Sequence, residues 1–471
     1  MIETVSGTAI MWFRRDLRLA DNAALSSAAE SAQPVAALFV TPPQVAHSPG
    51  LASSAWLAHS LSSLDSELRS RGSSLTVRSG GTVPEVLRFA EELQAGGVYC
   101  QRDWTPAGMA EERMVDEALR AVGIGLQVCE GQLLVPPDQL STAEGTPYRV
   151  FTPFYRAWLR AWGRSAPMQT PDLSPSTASP PLPSVALEAP PGAPDVLGWW
   201  QPGERGAARR LSDFAEVRLE DYAEQRDFPA EDSTSRLSPH LAWGELSPRQ
   251  VAEAALEADE PHAAAFVRQL AWREFAYHVL HHNPSSSERP LDPKFEAFPW
   301  REDRGALESW KAGRTGFPLV DAGMRQLAAS GWMHNRVRLL CASFLTKDLL
   351  VPWQQGEEHF RQQLVDYDPA INPFNWQWVA GSGADAAPYF RVFSPSRQAE
   401  RFDPQAAYIR EWVPELARLS ERRAREPWRA SREELADAGV SLGDTYPERI
   451  IDHAEARERA LAAFSAIRRT G

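Results

Sequence analysis

The sequence predicts two domains of different class: an α/β domain on a doubly wound parallel sheet over residues 1–130, and an all-α domain over residues 200–471. Three observations carry this. Through the first 130 residues short apolar runs alternate with helical patterns, the rhythm of βαβ units and a parallel sheet. Residues 164–195 hold nine prolines and no aromatic residue. Such a stretch cannot pack a core, and it marks an interdomain linker that we set at 131–199. From residue 200 the apolar spacing is helical and stays so, without a strand pattern or a repeat period.

TAIMWF (8–13), VAALFV (35–40), SLTV (74–77), GVYC (97–100) and LQVC (126–129) read as buried strands. Helices are expected between them at 53–71, 83–95 and 107–122; in the second, Val83, Leu87 and Ala90 share a face. A sheet of this kind takes ligands near the carboxyl ends of its strands. No GxGxxG follows the first strand and no Walker A motif occurs, so Gly80-Gly81 and Gly96-Gly97 read as turns. In the second domain Ala207, Leu211 and Phe214 begin an apolar stripe, and residues 262–282 are apolar on nearly every face, as a central helix would be. An ordinary Ala/Glu/Arg helix is expected at 453–468, near the end of the chain.

Composition sets limits on function. The chain has 471 residues, 43% hydrophobic and 24% charged, which suits a folded soluble protein of two domains. A net charge of −13 and a pI near 5.4 exclude a general nucleic-acid coat; any DNA site must be a local basic patch. Cys100, Cys129 and Cys341 form neither a metal spacing nor a disulfide framework and are expected as thiols in a reducing cytosol. No apolar-cored leader and no bilayer-length apolar run is present, so a soluble cytoplasmic protein is expected.

Chemistry concentrates in residues 331–378, from GWMHNRVRLL to DYDPAINPFNWQW, where four tryptophans fall beside Asn335, Arg336, Arg338, Asp366, Asp368 and Asn372. Indoles massed around charges suit a flat ligand with a polar edge. Upstream, Tyr222 and TSRLS (234–238) offer hydroxyls and an arginine before a helix, a pattern for a pyrophosphate and equally for a helix cap. In QLAWREF (269–275), Gln269, Trp272 and Arg273 share a helix face on which a base could stack and be read. Asp-x-Asp-Pro at 366–369 also fits a cap. Arginines cluster around PYFRVFSPSRQAERFD (388–403), with Arg226 nearer the TSRLS run.

These motifs, with WFRRDLRLADN (12–22) after the first strand and VFTPFYRAWL (150–159) before the linker, resemble the DNA photolyase and cryptochrome family over nearly the whole chain. They come closest to the class I cyclobutane pyrimidine dimer photolyases. The resemblance implies an antenna pigment on the α/β domain (a folate, a deazaflavin or a second flavin), near Cys100 to Trp104. It implies FAD, active in its reduced anionic form, on the helical domain. Its implied contacts are Tyr222, Thr234, Ser235, Leu237, Ser238, Arg273, Arg338, Asp366, Asp368 and Asn372, with Asp366 paired to Arg338. Trp376, Trp353 and Trp300 match the tryptophan triad that carries electrons to the flavin. Trp272 and Trp378 match residues that hold the lesion, Asn335 and Gln269 would bond its edge, and Leu339 lines its pocket. Arg226, Arg336, Arg391 and Arg397 would meet DNA phosphates; Arg397 and Arg401 also fit a solvated surface.

The implied activity is that of a deoxyribodipyrimidine photo-lyase, a carbon–carbon lyase acting in blue light on UV-damaged DNA as a monomer without an obligate protein partner. The chain departs from the family pattern at Gln269, where many dimer photolyases have Glu, and at Leu339, where many have Met. Asn335 stands where six-four photolyases typically carry His, and Asn372 where plant-type cryptochromes carry Asp. A six-four photolyase and a cryptochrome-type photoreceptor are the alternatives; Asn372 and the absence of an appended tail disfavour the second.

Overall fold

The computed structural model describes residues 7–31, 34–41, 50–173, 184–185, 188–385 and 390–469. Part of the expected linker, and Pro388 and Tyr389 of the arginine-rich motif, lie outside them. By packing, the chain forms two compact units: residues 1–220 with 235–284, and residues 221–234 with 285–471. The change of structural class falls near residue 200, while this packing division falls elsewhere because the chain crosses between units three times.

The first unit is built on five parallel strands, β1 (Thr8–Phe13), β2 (Val35–Thr41), β3 (Leu75–Ser79), β4 (Ala95–Gln101) and β5 (Leu126–Cys129), in the order β3-β2-β1-β4-β5. Central β1 is buried at Ala9, Ile10, Met11, Trp12 and Phe13, with Trp12 opposite Leu38 on one side and Cys100 on the other. A strand covered on both faces must be apolar at every position, which is why it was legible as a continuous run. The helices Leu51–Arg69, Thr82–Glu92 and Pro106–Ala121 match the expected ones within a few residues. A helix at Ala23–Glu30 was not expected; its signal is Asn22, whose side chain accepts from the Leu25 amide as an N-cap. Gly96-Gly97, expected as a turn, instead opens β4, where the register with β1 shifts at a bulge. The proline-rich segment shields edge strand β3: Val185 donates to Val77 O at 2.9 Å, and Ser184 Oγ accepts from the Val77 amide at 2.9 Å.

WFRRDLRLADN turns back on a later segment of the same unit. Leu17 N donates to Trp243 O (3.1 Å), Arg15 Nε to Ala242 O (2.9 Å), and the buried Arg18 Nη1 to Gly244 O (2.9 Å). Gly244 has φ +65°, and a Cβ there would collide with the Arg15 carbonyl oxygen, so glycine is required twice over. The helix Glu260–His282 is buried at every position from Glu274 to Leu280, as its pattern predicts, whereas its first turns are largely exposed. Within it the Glu274 carboxylate accepts from Leu134 N (2.5 Å), Val135 N (3.0 Å) and Trp158 Nε1 (2.6 Å), tying down the chain after β5.

The second unit is helical; among the described residues its β structure is one isolated bridge, Leu442 to Tyr446. Its larger apolar cluster includes Trp310, Phe344, Trp353, Phe360 and Trp376, and a second gathers Phe295, Phe298, Leu350 and Phe390. The helix Pro318–Ser330 stops at Gly331 (φ +69°), a left-handed cap that frees the chain to turn into the next helix, Asn335–Ser343. No described helix in either unit is long and apolar enough to cross a membrane.

Candidate cofactor and lesion site

The expected site residues divide between the units. The second unit holds Tyr222, Arg226, Thr234, Trp300, Asn335, Arg336, Arg338, Leu339, Trp353, Asp366, Asp368, Asn372, Trp376, Trp378, Arg391 and Arg397. The first holds Ser235, Leu237, Ser238, Gln269, Trp272 and Arg273.

In the second unit the geometry starts at His334. Its ring Nδ1 accepts from the Arg336 amide (3.2 Å), capping Asn335–Ser343, and its own amide donates to Gln326 Oε1 (3.1 Å). Burial holds the imidazole neutral down to about 4. This fixed helix start aims Arg338, whose Nε returns to Met333 O (2.7 Å) and whose Nη2 reaches Asp366 Oδ2 (2.8 Å). The other carboxylate oxygen, Asp366 Oδ1, is buried without a hydrogen-bond partner among the described residues. Asp368 Oδ1 caps the next helix, Ile371–Ala380, through the Ala370 and Ile371 amides (2.8 and 3.0 Å), so the capping role anticipated for Asp-x-Asp-Pro is real.

Asn372, on that helix, donates its Nδ2 to Glu357 Oε1 (3.0 Å). Glu357 is itself buried, which pushes its carboxyl above the ordinary range, and Tyr367 also bonds it. With its nitrogen engaged, the Asn372 amide presents its oxygen as an acceptor. Glu357 lies fifteen residues away on another helix, so no local spacing points to this contact.

Buried Tyr222 lies under the Arg226 guanidinium at 5.4 Å. Ser233, absent from the sequence-based set, is buried with an unpartnered Oγ one residue before Thr234. In the first unit Ser235 Oγ accepts from Leu237 N (3.4 Å), and Arg236 adopts φ +50°, a left-handed conformation that is costly away from glycine. Leu237 is buried, and Ser238 opens a helix of five residues, Ser238–Ala242, too short for its dipole to contribute much. Any phosphate hold in this loop therefore falls to side chains.

Trp353 and Trp376 are both 2% exposed and belong to the same apolar cluster, against which the partly buried Trp300 packs. Phe360 at 5.0 Å and Trp310 at 6.1 Å both meet the Trp376 ring edge-on. Gly356, one turn after Trp353, allows this approach, since a Cβ there would overlap Trp376 Cη2 and crowd Leu345. Trp378 Nε1 donates to Asp385 O (3.1 Å). Trp378 also lines a cavity of about 90 Å³ with Lys347, Phe390 and Arg391. Lys347, which sequence reasoning missed, donates to Arg391 O at 2.5 Å and sits 4.4 Å from the Phe390 ring centre; burial lowers its ammonium to about 7.

Asn335 is exposed on its helix, and Leu339 is partly buried against the apolar cluster. Arg336 ion-pairs with Asp227 and lies 4.5 Å over Phe402; Arg226 Nε is 4.0 Å from the same Asp227. The two cations thus share one acid that the sequence reading overlooked. Arg391, Arg397 and Arg401 are exposed. In the first unit Gln269 Nε2 leans back to Ala265 O (3.4 Å), Trp272 lies against Phe151, and Arg273 donates to Gln132 O (3.1 Å) beside Tyr277. Arg273 Nε is buried without a partner among the described residues.

At the strand ends, where an antenna was expected, Trp104 is buried, donating its amide to Gln132 Oε1 (2.7 Å) and its Nε1 to Glu130 Oε2 (2.9 Å).

A part-buried arginine paired with a buried carboxylate that has one oxygen unmet, an amide held by Glu357 with its oxygen as acceptor, and an unmet hydroxyl near Thr234 suit a polar-edged ring cofactor carrying phosphates. The comparisons agree. Residues 9–173 match the family model described as DNA photolyase, and residues 266–466 match that of the FAD binding domain of DNA photolyase. The chain is 44% identical to a deoxyribodipyrimidine photo-lyase of Agrobacterium fabrum, covering 98% of both chains. It is 38% identical to one of Escherichia coli, covering 98% of this chain and 99% of the other. Among solved structures, a class III photolyase from Agrobacterium tumefaciens superposes with a TM-score of 0.94 at 44% identity, covering 98% of each chain. A Synechocystis cryptochrome superposes with 0.87 at 31% identity, covering 97% and 99%. The fold is that of a two-part flavoprotein with an FAD-binding domain. The chain belongs to the DNA photolyase family.

Proposed function

We propose that this protein repairs cyclobutane pyrimidine dimers in DNA under blue light, as a monomer in the cytoplasm. The observation that carries the reading is the Arg338–Asp366 pair with its unmet Oδ1, together with an Asn372 amide whose nitrogen is held by Glu357, groups suited to the polar edge of a flavin. Bound reduced FAD would supply the photoexcited electron that opens the cyclobutane ring. The protein's share is binding, orientation and electrostatics. Asp366, Asp368 and Asn372 would hold the ring edge, and the Arg338 guanidinium would stabilise negative charge there. Tyr222, Ser233, Thr234, Ser235, Leu237, Ser238 and Arg273 would surround the phosphates and their approach. Trp376, Trp353 and Trp300 would relay electrons inward through apolar surroundings that exclude water.

Trp272 and Trp378 would stack on an extruded dimer, whose poor stacking in the duplex makes extrusion less costly than for normal bases. Asn335 and Gln269 would bond the lesion's polar edge beside Leu339. Arg226, Arg336, Arg391 and Arg397 would meet phosphates. The test uses anaerobically reduced protein with duplexes carrying one cyclobutane dimer or one six-four product, illuminated in blue light beside a dark control. Light-dependent restoration of the dimer alone is expected. Restoration of the six-four product would make Gln269 and Leu339 markers of a different lesion. Restoration of neither, with flavin still photoreduced, would favour a photoreceptor.

A further inference from the structure

The motif VFTPFYRAWL finds a role in the packing of Trp272. It forms the helix Phe151–Ala161, whose first residue, Phe151, is 1% exposed. The Phe151 and Trp272 ring centres lie 3.7 Å apart with planes 7° from parallel. Two aromatic rings left to themselves prefer an offset or edge-on arrangement to near-complete overlap. Here the surroundings impose the overlap. Tyr155, one turn on, stacks beside Phe151 at 5.5 Å and 13°. The Arg268 guanidinium bridges them from the exposed side, 5.2 Å from Phe151 and 5.4 Å from Tyr155. Phe275 closes the flank, edge-on to Phe151 at 5.8 Å and to Trp272 at 5.9 Å.

Resting on the reading that Trp272 stacks on the lesion, we propose that Phe151 is a positioning residue for lesion recognition. Stacked face to face on Trp272, it presets the plane of the indole on which an extruded pyrimidine would stack. The indole then loses little rotational freedom on binding, a saving that appears as affinity for the damaged site. Undamaged duplex, held through its phosphates, gains nothing from it.

The test is binding in the dark by flavin-loaded protein to a duplex with a single dimer and to the same duplex undamaged. Phe151→Leu keeps an apolar side chain but removes the flat surface; Phe151→Tyr keeps the surface. Phe151→Leu is expected to weaken dimer binding about fivefold, the scale of one aromatic stack, and to leave undamaged binding within about twofold. Phe151→Tyr is expected to restore dimer binding. The double variant with Trp272→Ala is expected to bind no more weakly than Trp272→Ala alone, because the two residues act as one unit. Wild-type binding by Phe151→Leu, equal loss on both duplexes, or additive losses in the double variant would overturn the proposal. If Trp272→Ala itself keeps full dimer affinity, the lesion-stacking reading fails and takes this inference with it.

Discussion

Arg14 and Arg338 are both largely buried arginines paired with buried carboxylates, one in each unit, and their surroundings end differently. Arg14, at the carboxyl end of β1, reaches Glu112 Oε1 (2.6 Å), Gly108 O (3.0 Å) and Glu111 Oε2 (3.1 Å). Glu112 also accepts from Arg102 Nη1 and the Asp103 amide (both 2.8 Å). Every buried atom of the Arg14–Glu112 pair itself has a partner, although the adjoining Arg102 Nε has no hydrogen-bond partner among the described residues. In the Arg338–Asp366 pair it is an acceptor, Asp366 Oδ1, that is left unmet. An ion pair that satisfies itself holds elements together, whereas one that leaves a carboxylate oxygen unmet is shaped for a donor to complete it.

That contrast can be broken by substitution. Arg14→Ala removes one of the two guanidiniums on Glu112, in a site where both side chains of the pair are under 10% exposed. It should cost about 3 kcal/mol of stability, read from the denaturant midpoint, with flavin content per folded molecule unchanged. Flavin loss at equal stability would make the closed cluster functional.

Acid tests the support beneath the open cluster. The unfolded chain takes a proton on histidine near 6.5, whereas buried His334 stays neutral to about 4. The unfolded state therefore binds more protons in that window. The stability contributed is full above pH 6.5 and falls as pH drops to 4, by about 3 kcal/mol. Replacing His334 with Asn, which can still cap the helix, should flatten this part of the pH profile.

Gly356→Ala should cost about 2 kcal/mol by overpacking and displace Trp376, slowing light-driven reduction of bound flavin. Unchanged photoreduction would separate this tryptophan from the electron route. The smallest effect expected is at Asp366. Asp366→Asn keeps a shape that accepts from Arg338, so flavin-free protein should lose no more than about 1 kcal/mol. Flavin should dissociate about tenfold more readily, because the charged partner for the ligand is gone. Equal retention would mean the unmet oxygen is not a ligand contact.

The central strand was legible because burial on both faces writes itself as an uninterrupted apolar run, at Ala9 to Phe13, whereas β5, also expected as a buried strand, has no buried residue because it lies at the sheet edge. Residue types in the site were legible because they sit in dense local motifs. What those residues do to one another was not, since the deciding partners are remote. Asp227 between Arg226 and Arg336, Glu357 behind Asn372, and Arg15 against Gly244 lie on other elements, where no local spacing points. Gly96-Gly97 was misread for a related reason: two glycines signal a turn locally, but alignment of β4 with β1 claims them for a bulge.

The threading of the chain bears on how it is made. The strip from Asp221 to Thr234 belongs to the unit completed by residues 285–471, yet it is synthesised first. At about 5–20 residues per second, Phe228 leaves the ribosome on the order of ten seconds or more before Phe402, the ring it packs against. A growing chain must keep that strip uncommitted throughout, so a stalled or shortened product would present it to chaperones and proteases as unfinished.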